Sequence, residues 1–499
     1  MRFLGVVIAI LLTGCATLQP VNTPDDYTPA PASSVLWDSL KTLRQDDWFY
    51  LLNNGVDAYE WRLRAIDGAV DSIDLQTFIW ELDSVGHGIR DRLLAAAARG
   101  VKVRVLTDDS FILDADSQLL AIDGHENIEL RVYNPYKRRS SSIALRSILN
   151  AGEFYRLDHR MHNKVMVIDG RIAVIGGRNL DEKYFGYDEQ YNFRDMELVT
   201  GGSTVQRLAN GFDNYWNERW SFPIAAIAQQ RGSYVEEPLL ESSREPLLPE
   251  KTTESNAQRL QKWTSLVTAA HTGIAHMLID TPPIDRPEAV TDAPVQLAQA
   301  LLEAIEAARE EIWLVSAYLI PTERFEQAIE HAIARGVRVR VLTNSIGSTN
   351  HITAHSAWRG HVQHLLQLGV EVHELREDAA DRYLYIASPV SDKTLSLHAK
   401  LMVIDDDRVF IGSANFDPRS LRINTEIGLL VRSDGLNKAM RTALMPDFDP
   451  RNAWQLKLDA DRKVRWVAGQ EVRHHQPTVS YMRRIEDWFL SLLPLEGEM

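Results

Sequence analysis

A chain of 499 residues is longer than one hydrophobic core usually organises, so two domains, or one duplicated domain, are expected. Apolar and charged fractions of 45% and 25% are those of an ordinary soluble globular protein. The net charge of −15 argues against a general nucleic-acid binder, although a local cluster of lysines can still hold an anionic group.

The N-terminus, "MRFLGVVIAILLTGCATLQP", carries one basic residue, Arg2, and then an apolar run from Phe3 to Leu12. That run is too short to cross a bilayer as an ordinary helix and fits a signal peptide over residues 1–14. It ends in Leu12-Thr13-Gly14-Cys15, which resembles a bacterial lipobox, where the cysteine is lipidated and becomes the first mature residue. Cys15 is the only cysteine, which excludes a disulfide framework and leaves almost no room for a cysteine-ligated metal. Ala16 stands where enteric lipoproteins retained at the inner membrane carry aspartate, so the outer membrane is the better expectation, with the catalytic region in the periplasm. Residues 15–36, rich in Pro, Ser, Thr and Asp, read as the lipidated cysteine and a flexible tether.

From Trp37 the pattern is globular. Residues 72–80 read as a strand, 89–99 as an alanine-rich helix stopped by Gly100, and "VKVRVLT" as an alternating strand. The same succession then returns: "AARGVKVRVLT" (97–107) is answered by "IARGVRVRVLT" (333–343). Two copies of one α/β unit are expected, at 37–220 and 292–479. The first closes with a helix over 211–220, and residues 221–291 form a polar connection with a short helix inside.

Within the first copy, "RMHNKVMVIDGRIAVIGGRN" (160–179) places polar residues in strand-like surroundings. The same displacement that relates the strands carries His162 onto His398, Lys164 onto Lys400, Asp169 onto Asp405 and Asn179 onto Asn415. A single His-x-Lys-x4-Asp is a weak pattern, whereas two copies in register with an independent strand repeat are a strong one. Residues i and i+2 of a strand share a face, so each histidine points with its lysine. If the copies pack about a pseudo-twofold axis, two imidazoles and two ammonium groups converge. A phosphodiester exchange needs a nucleophile, a proton donor and positive charge for the equatorial oxygens, and this set supplies all three without a metal or cofactor. Asn179 and Asn415 add amide donors and Ser413 a hydroxyl. Asp195 and Glu426, each preceding an apolar strand, are candidates to orient the imidazoles. Asp169 and Asp405, near turns, are expected to support the backbone rather than touch substrate.

The paired His-x-Lys-x4-Asp segments followed by G-[GS]-x-N resemble the phospholipase D superfamily. The stretches "LHAKLMVID", "FIGSANFDPRS" and "NTEIGLLV" are similar, more narrowly, to bacterial cardiolipin synthases and most of all to their C-type branch. The similarity runs over nearly all of residues 40–495 and includes "NPYKRRS" (134–140) and "NSIGSTN" (344–350). It implies an α/β fold of two repeats, each a mixed β-sheet flanked by helices, with the active site between them and a covalent phosphohistidine on one histidine. It further implies a phosphatidyltransferase that makes cardiolipin from phosphatidylglycerol and a second phospholipid, phosphatidylglycerol or phosphatidylethanolamine. His162 is chosen as nucleophile and His398 as acid and base. Water in place of the lipid alcohol would make the enzyme a phospholipase D that releases phosphatidic acid, and the named residues do not separate the two. The acidic composition weighs against a nuclease, and the intact pair of motifs against a non-catalytic envelope lipoprotein. His355 and Asn350, in the loop after "VRVRVLT", are open both as substrate contacts and as loop caps. Finally, residues 480–499 place Tyr481, Ile485, Trp488 and Leu492 at helical spacing, which fits an interfacial helix and an ordinary packed one alike.

Overall fold

The computed structural model describes residues 18–112, 116–138, 143–231, 239, 254–282, 296–478 and 480–490. The signal-peptide and lipidation expectations at residues 1–15, and the end of the C-terminal segment, lie outside these.

Each repeat centres on a mixed sheet. In the first, three parallel strands, Ser72–Thr77, Lys102–Asp108 and Ile128–Tyr133, continue into antiparallel ones at Val165–Ile168, Ile172–Gly176 and Glu197–Gly201. The second repeats this with Glu311–Ser316, Arg338–Asn344 and Glu371–Leu375, then Lys400–Ile404, Arg408–Gly412 and Ile427–Arg432. Parallel neighbours need crossover helices, and the sequence supplies them at Ser84–Ala97 and Glu323–Ala334. Both helices run out at a glycine with left-handed backbone, Gly100 (φ 93°) and Gly336 (φ 88°), where a β-carbon would be strained.

The period-two alternation sorts side chains between two cores. Val165 and Val167 of one sheet and Leu401 and Val403 of the other meet in a shared core that joins the repeats face to face. Their neighbours Met166 and Ile168, and Met402 and Ile404, turn outward under the helices of their own repeat. The strand Tyr191–Arg194 pairs in parallel with Thr394–Leu397 of the opposite repeat, a second seam across the interface.

Two expectations are corrected. The polar N-terminal segment is no free tether from Leu18 onward. Arg104, almost wholly buried, takes Asp74 at 2.7 Å, Asp213 at 2.8 Å, the Asp26 carbonyl at 2.8 Å and the Thr28 hydroxyl at 2.8 Å. Asp26 and Thr28 therefore complete a buried ionic cluster, which is costly to leave unpaired. Farther on, Ala32 and Asp169 exchange a backbone hydrogen bond of 2.9 Å. The described parts of the connection over 221–291, residues 221–231 and 254–282, are likewise more ordered than its composition implies. Ser221–Pro223 and His271–Thr272 extend the first sheet, Ile274–Ile279 extends the second, and the helix Asn256–Ala269 buries Trp263 in the first core. Short edge strands are lost when polarity is averaged over a long segment.

Candidate active site

The two strands that carry the motifs enter the site side by side with strands of the opposite repeat. The His162 amide donates to the Thr425 carbonyl, and the Thr425 amide to the Arg160 carbonyl, each at 2.9 Å. In the mirror-related place the His398 amide donates to the Arg194 carbonyl at 2.8 Å. This pairing delivers the next residue of each partner strand, an acid, to the imidazole. His162 Nδ1 lies 2.9 Å from Glu426 Oε2, and His398 Nδ1 lies 2.7 Å from Asp195 Oδ2. Each carboxylate serves the histidine of the other repeat. An Nδ1–H donated to a carboxylate leaves Nε2 as the bare, reactive nitrogen.

Lys164 and Lys400 bend back to the carbonyls of His162 and His398, at 2.7 and 2.6 Å, and are buried. Burial, and after it the charges of both lysines, push both imidazoles well down, His398 to about 3, which favours their neutral forms. Burial also lowers the ammonium groups, Lys164 to about 7 and Lys400 to about 8. Each imidazole feels the charge of both lysines, so the motif groups of the two repeats share one electrostatic neighbourhood. Aromatic rings brace the imidazoles: Phe78 stands edge-on to His162, and Tyr184 to His398, each with centroids 4.8 Å apart.

The halves are unequal. Burial lifts Glu426 to about 7, against the charge of Lys164 and a hydrogen bond donated by the Ser413 hydroxyl. Asp195 is held at about 2: burial is outweighed by the His398 hydrogen bond and by nearby positive charge. Where Ser413 stands in one repeat, Gly177 stands in the other, and a β-carbon there would lie 2.7 Å from Asp195 Oδ2. Only glycine lets this carboxylate come so close.

Asn179 donates to the Tyr184 hydroxyl at 2.7 Å and accepts from the Ile79 amide at 3.3 Å, so it holds the ring that stands edge-on to His398. Asn415 lines the cavity, with its buried Oδ1 unpaired. Asp169 accepts the amides of Val70, Asp71 and Ser72 and the Trp37 indole; Asp405 accepts those of Arg309, Glu310 and Glu311. Both have positive φ and sit at turns, holding strand starts and away from the imidazoles. Neither His355 nor Asn350 lines the cavity. His355 is buried 3.0 Å from Asp487, Asn350 accepts from Tyr318, and the wall there is His351, Thr353 and Ala354.

Several site residues escape sequence reasoning. Asp280 accepts the Glu426 amide at 3.0 Å and fixes the strand that presents that acid. It comes from the connecting segment, and no motif marks it. Arg160 also lines the cavity, paired with Asp108 and stacked 4.5 Å over Tyr136. Its position two residues before His162, in Arg-x-His-x-Lys, is a signal that could have found it. The cavity holds about 500 Å³, with His162 in its wall and apolar surfaces from Phe78, Phe111, Leu157 and Ile320.

The cardiolipin synthase, PLD-like domain family matches this chain twice, over residues 63–216 and 301–446. Cardiolipin synthase C of Escherichia coli is 31% identical over 89% of this chain and 94% of its own length. An uncharacterised protein of Helicobacter pylori is 31% identical over 97% of this chain and 98% of its own. Cardiolipin synthase A of Pseudomonas putida is 27% identical over 80% of this chain and 68% of its own. Among solved structures, phosphatidylserine synthase of Haemophilus influenzae shares the fold, with a TM-score of 0.57 at 11% identity over 93% of this chain and all of that one. With the duplicated motif, the crossed His–carboxylate pairs and these relatives in hand, the chain belongs to the cardiolipin synthases of the phospholipase D superfamily and is a phospholipid phosphatidyltransferase.

Proposed function

We propose that the protein makes cardiolipin by moving the phosphatidyl group of one phospholipid onto the free glycerol of phosphatidylglycerol. The observation that carries the reading is the pair of imidazoles, each oriented by a carboxylate of the opposite repeat, with two buried lysines beside them. In the first step His162 Nε2 attacks phosphorus. The P–O bond to the headgroup alcohol breaks, and His398 delivers a proton to the leaving oxygen. Burial and lysine charge hold His398 neutral; a seated phosphodiester offsets the lysine charge, and ionised Asp195 stabilises the imidazolium. In the second step neutral His398 takes the proton from the acceptor hydroxyl. That oxygen attacks phosphorus and the P–N bond to His162 breaks. The donor is phosphatidylglycerol, releasing glycerol, or phosphatidylethanolamine, releasing ethanolamine. The apolar part of the cavity wall favours a lipid alcohol over water as acceptor.

The lipobox-like Cys15 supports a lipid-anchored protein in the bacterial cell envelope, with this site in the periplasm and the outer membrane favoured over the inner. No cofactor, metal or nucleic acid enters the reaction, and the partners are phospholipids at a membrane surface. The test is incubation of the purified protein with labelled phosphatidylglycerol, with and without phosphatidylethanolamine. Labelled cardiolipin in either mixture is the expected result. Phosphatidic acid alone, with acceptor lipid abundant, would instead make the protein a hydrolase. Acid quenching during turnover should yield a phosphatidyl adduct on His162, and an adduct on His398 would reverse the two roles.

A further inference from the structure

We propose that the protein docks on a bilayer of anionic phospholipid with the cavity mouth facing the lipid, through two apolar patches that flank the mouth, one on the first repeat and one on the C-terminal helix. The proposal rests on the lipid-exchange reading above and on anchorage through Cys15.

The first patch lies on the helix Ile143–Leu149, where Ile148 is 71% exposed and Leu145 47%. Arg146 of that helix donates to the Asp109 and Ser110 carbonyls at 3.1 Å each and stacks 5.0 Å over Tyr136. Ser110, Tyr136 and Asn150, the last directly after the helix, all belong to the cavity wall. The second patch lies on the helix Tyr481–Leu490, where Met482 is 70% exposed, Ile485 45% and Trp488 57%. The opposite side of this helix is fastened to the body. Arg483 donates to the carbonyls of Ile346, Gly347 and Thr349, and buried Asp487 bonds His355 and Ser356. The loop so clamped leads into His351, and the helix that follows carries Ala354; both are in the cavity wall. Single exposed apolar residues are ordinary. Two groups on elements that also frame the entrance for a lipid substrate are not.

The N-terminal segment leaves the body on this same side. Leu18 is wholly buried, and Gln19 exchanges hydrogen bonds of 2.9 and 3.0 Å with Gln230. The next residue, Arg231, donates to the Tyr136 carbonyl. From there the segment runs away from the mouth to Asp26, which pairs with Lys102 at the far end of the strand Lys102–Asp108. Cys15 precedes Leu18 by three residues, at most about 11 Å of extended chain. An acyl group on Cys15 therefore holds the mouth side, and not the far side, against lipid. Among the described residues no helix is long and apolar enough to cross a membrane. The substrate of the proposed reaction, phosphatidylglycerol, is itself anionic, which makes an anionic bilayer the surface on which the mouth would find it.

The test uses the full chain, native and Cys15→Ser, with vesicles of phosphatidylethanolamine and phosphatidylglycerol in equal parts. Ile148→Asp and the pair Met482→Asp/Ile485→Asp are compared with their parent for cosedimentation and turnover of vesicle lipid. Turnover of short-chain phosphatidylglycerol kept monomeric in solution is measured in parallel. In the Cys15→Ser form each patch variant is expected to lose about tenfold in vesicle binding and turnover, with short-chain turnover unchanged. Vesicle binding and turnover equal to the parent in both variants would overturn the proposal. Should an aspartate variant lose both activities together with its melting temperature, Leu145→Ser and Trp488→Ser repeat the comparison. If wild type turns over neither lipid, the catalytic reading fails, and cosedimentation alone still decides the docking face.

Discussion

The two halves of the site descend from one repeated unit, yet they hold their histidines differently. His398 faces a carboxylate, Asp195, kept ionised at about 2 and approached so closely that only Gly177 fits behind it. His162 faces Glu426, lifted to about 7 by burial and drawn upon by the Ser413 hydroxyl. A histidine that must carry a proton gains from a full negative charge beside it. A histidine that must attack phosphorus as a neutral base gains mainly from being oriented. Under the proposed roles, duplication supplied two matched sets of groups, and one Gly-to-Ser difference with its attached acid would separate their tasks.

That comparison can be broken most sharply at the imidazoles. His162→Ala and His398→Ala should each lower kcat by about 10⁴-fold or more, because neither step has a substitute group. Near-normal turnover in either variant, measured by headgroup release, would remove the shared site. Next come the acids. Asp195→Asn should cost about 10³-fold in kcat, since it removes a charge that is always present. Glu426→Gln should cost only about tenfold near pH 7, because that carboxyl is already partly neutral. Equal losses in the two would mean that the halves are not specialised.

The residues behind the acids come third. Gly177→Ser should cost about 10²-fold by driving Asp195 from His398, whereas Ser413→Ala, losing one hydrogen bond to a charged group, should cost about tenfold. The last effect is on stability. His398 is held at about 3, by burial and Lys400, against an ordinary 6.5. Between those values the unfolded chain takes up a proton that the folded chain refuses, so this contribution is complete above pH 6.5 and is lost as pH falls toward 3. His398→Asn should flatten the acid side of a melting-temperature profile, and an unchanged profile would show that His398 is not held neutral.

Much of this is legible in the sequence. His162, Lys164, His398 and Lys400 stand out because strand geometry puts i and i+2 on one face and the repeat fixes their register. Asp195 and Glu426 could be picked as orienters, but not assigned to a histidine. Each lies in sequence after its own motif and serves the opposite one, a pairing created only when the sheets meet. Asp280 and the N-terminal segment were hidden for a different reason. Their roles depend on a backbone amide and on a buried arginine far away in sequence, and composition reports neither. His355 drew attention as a histidine in a loop beside the site, whereas the cavity takes its neighbour four residues earlier, His351.

The crossing of the carboxylates also bears on what a fragment of this protein could do. A chain holding only one repeat would present an imidazole with no acid behind it and a large apolar sheet face left open to water. Such a half would be inert and prone to self-association, and two copies meeting face to face would restore both deficits at once. Activity is therefore a property of the encounter between halves. A single nick between the repeats should be harmless so long as the pieces stay together, and silencing once they part.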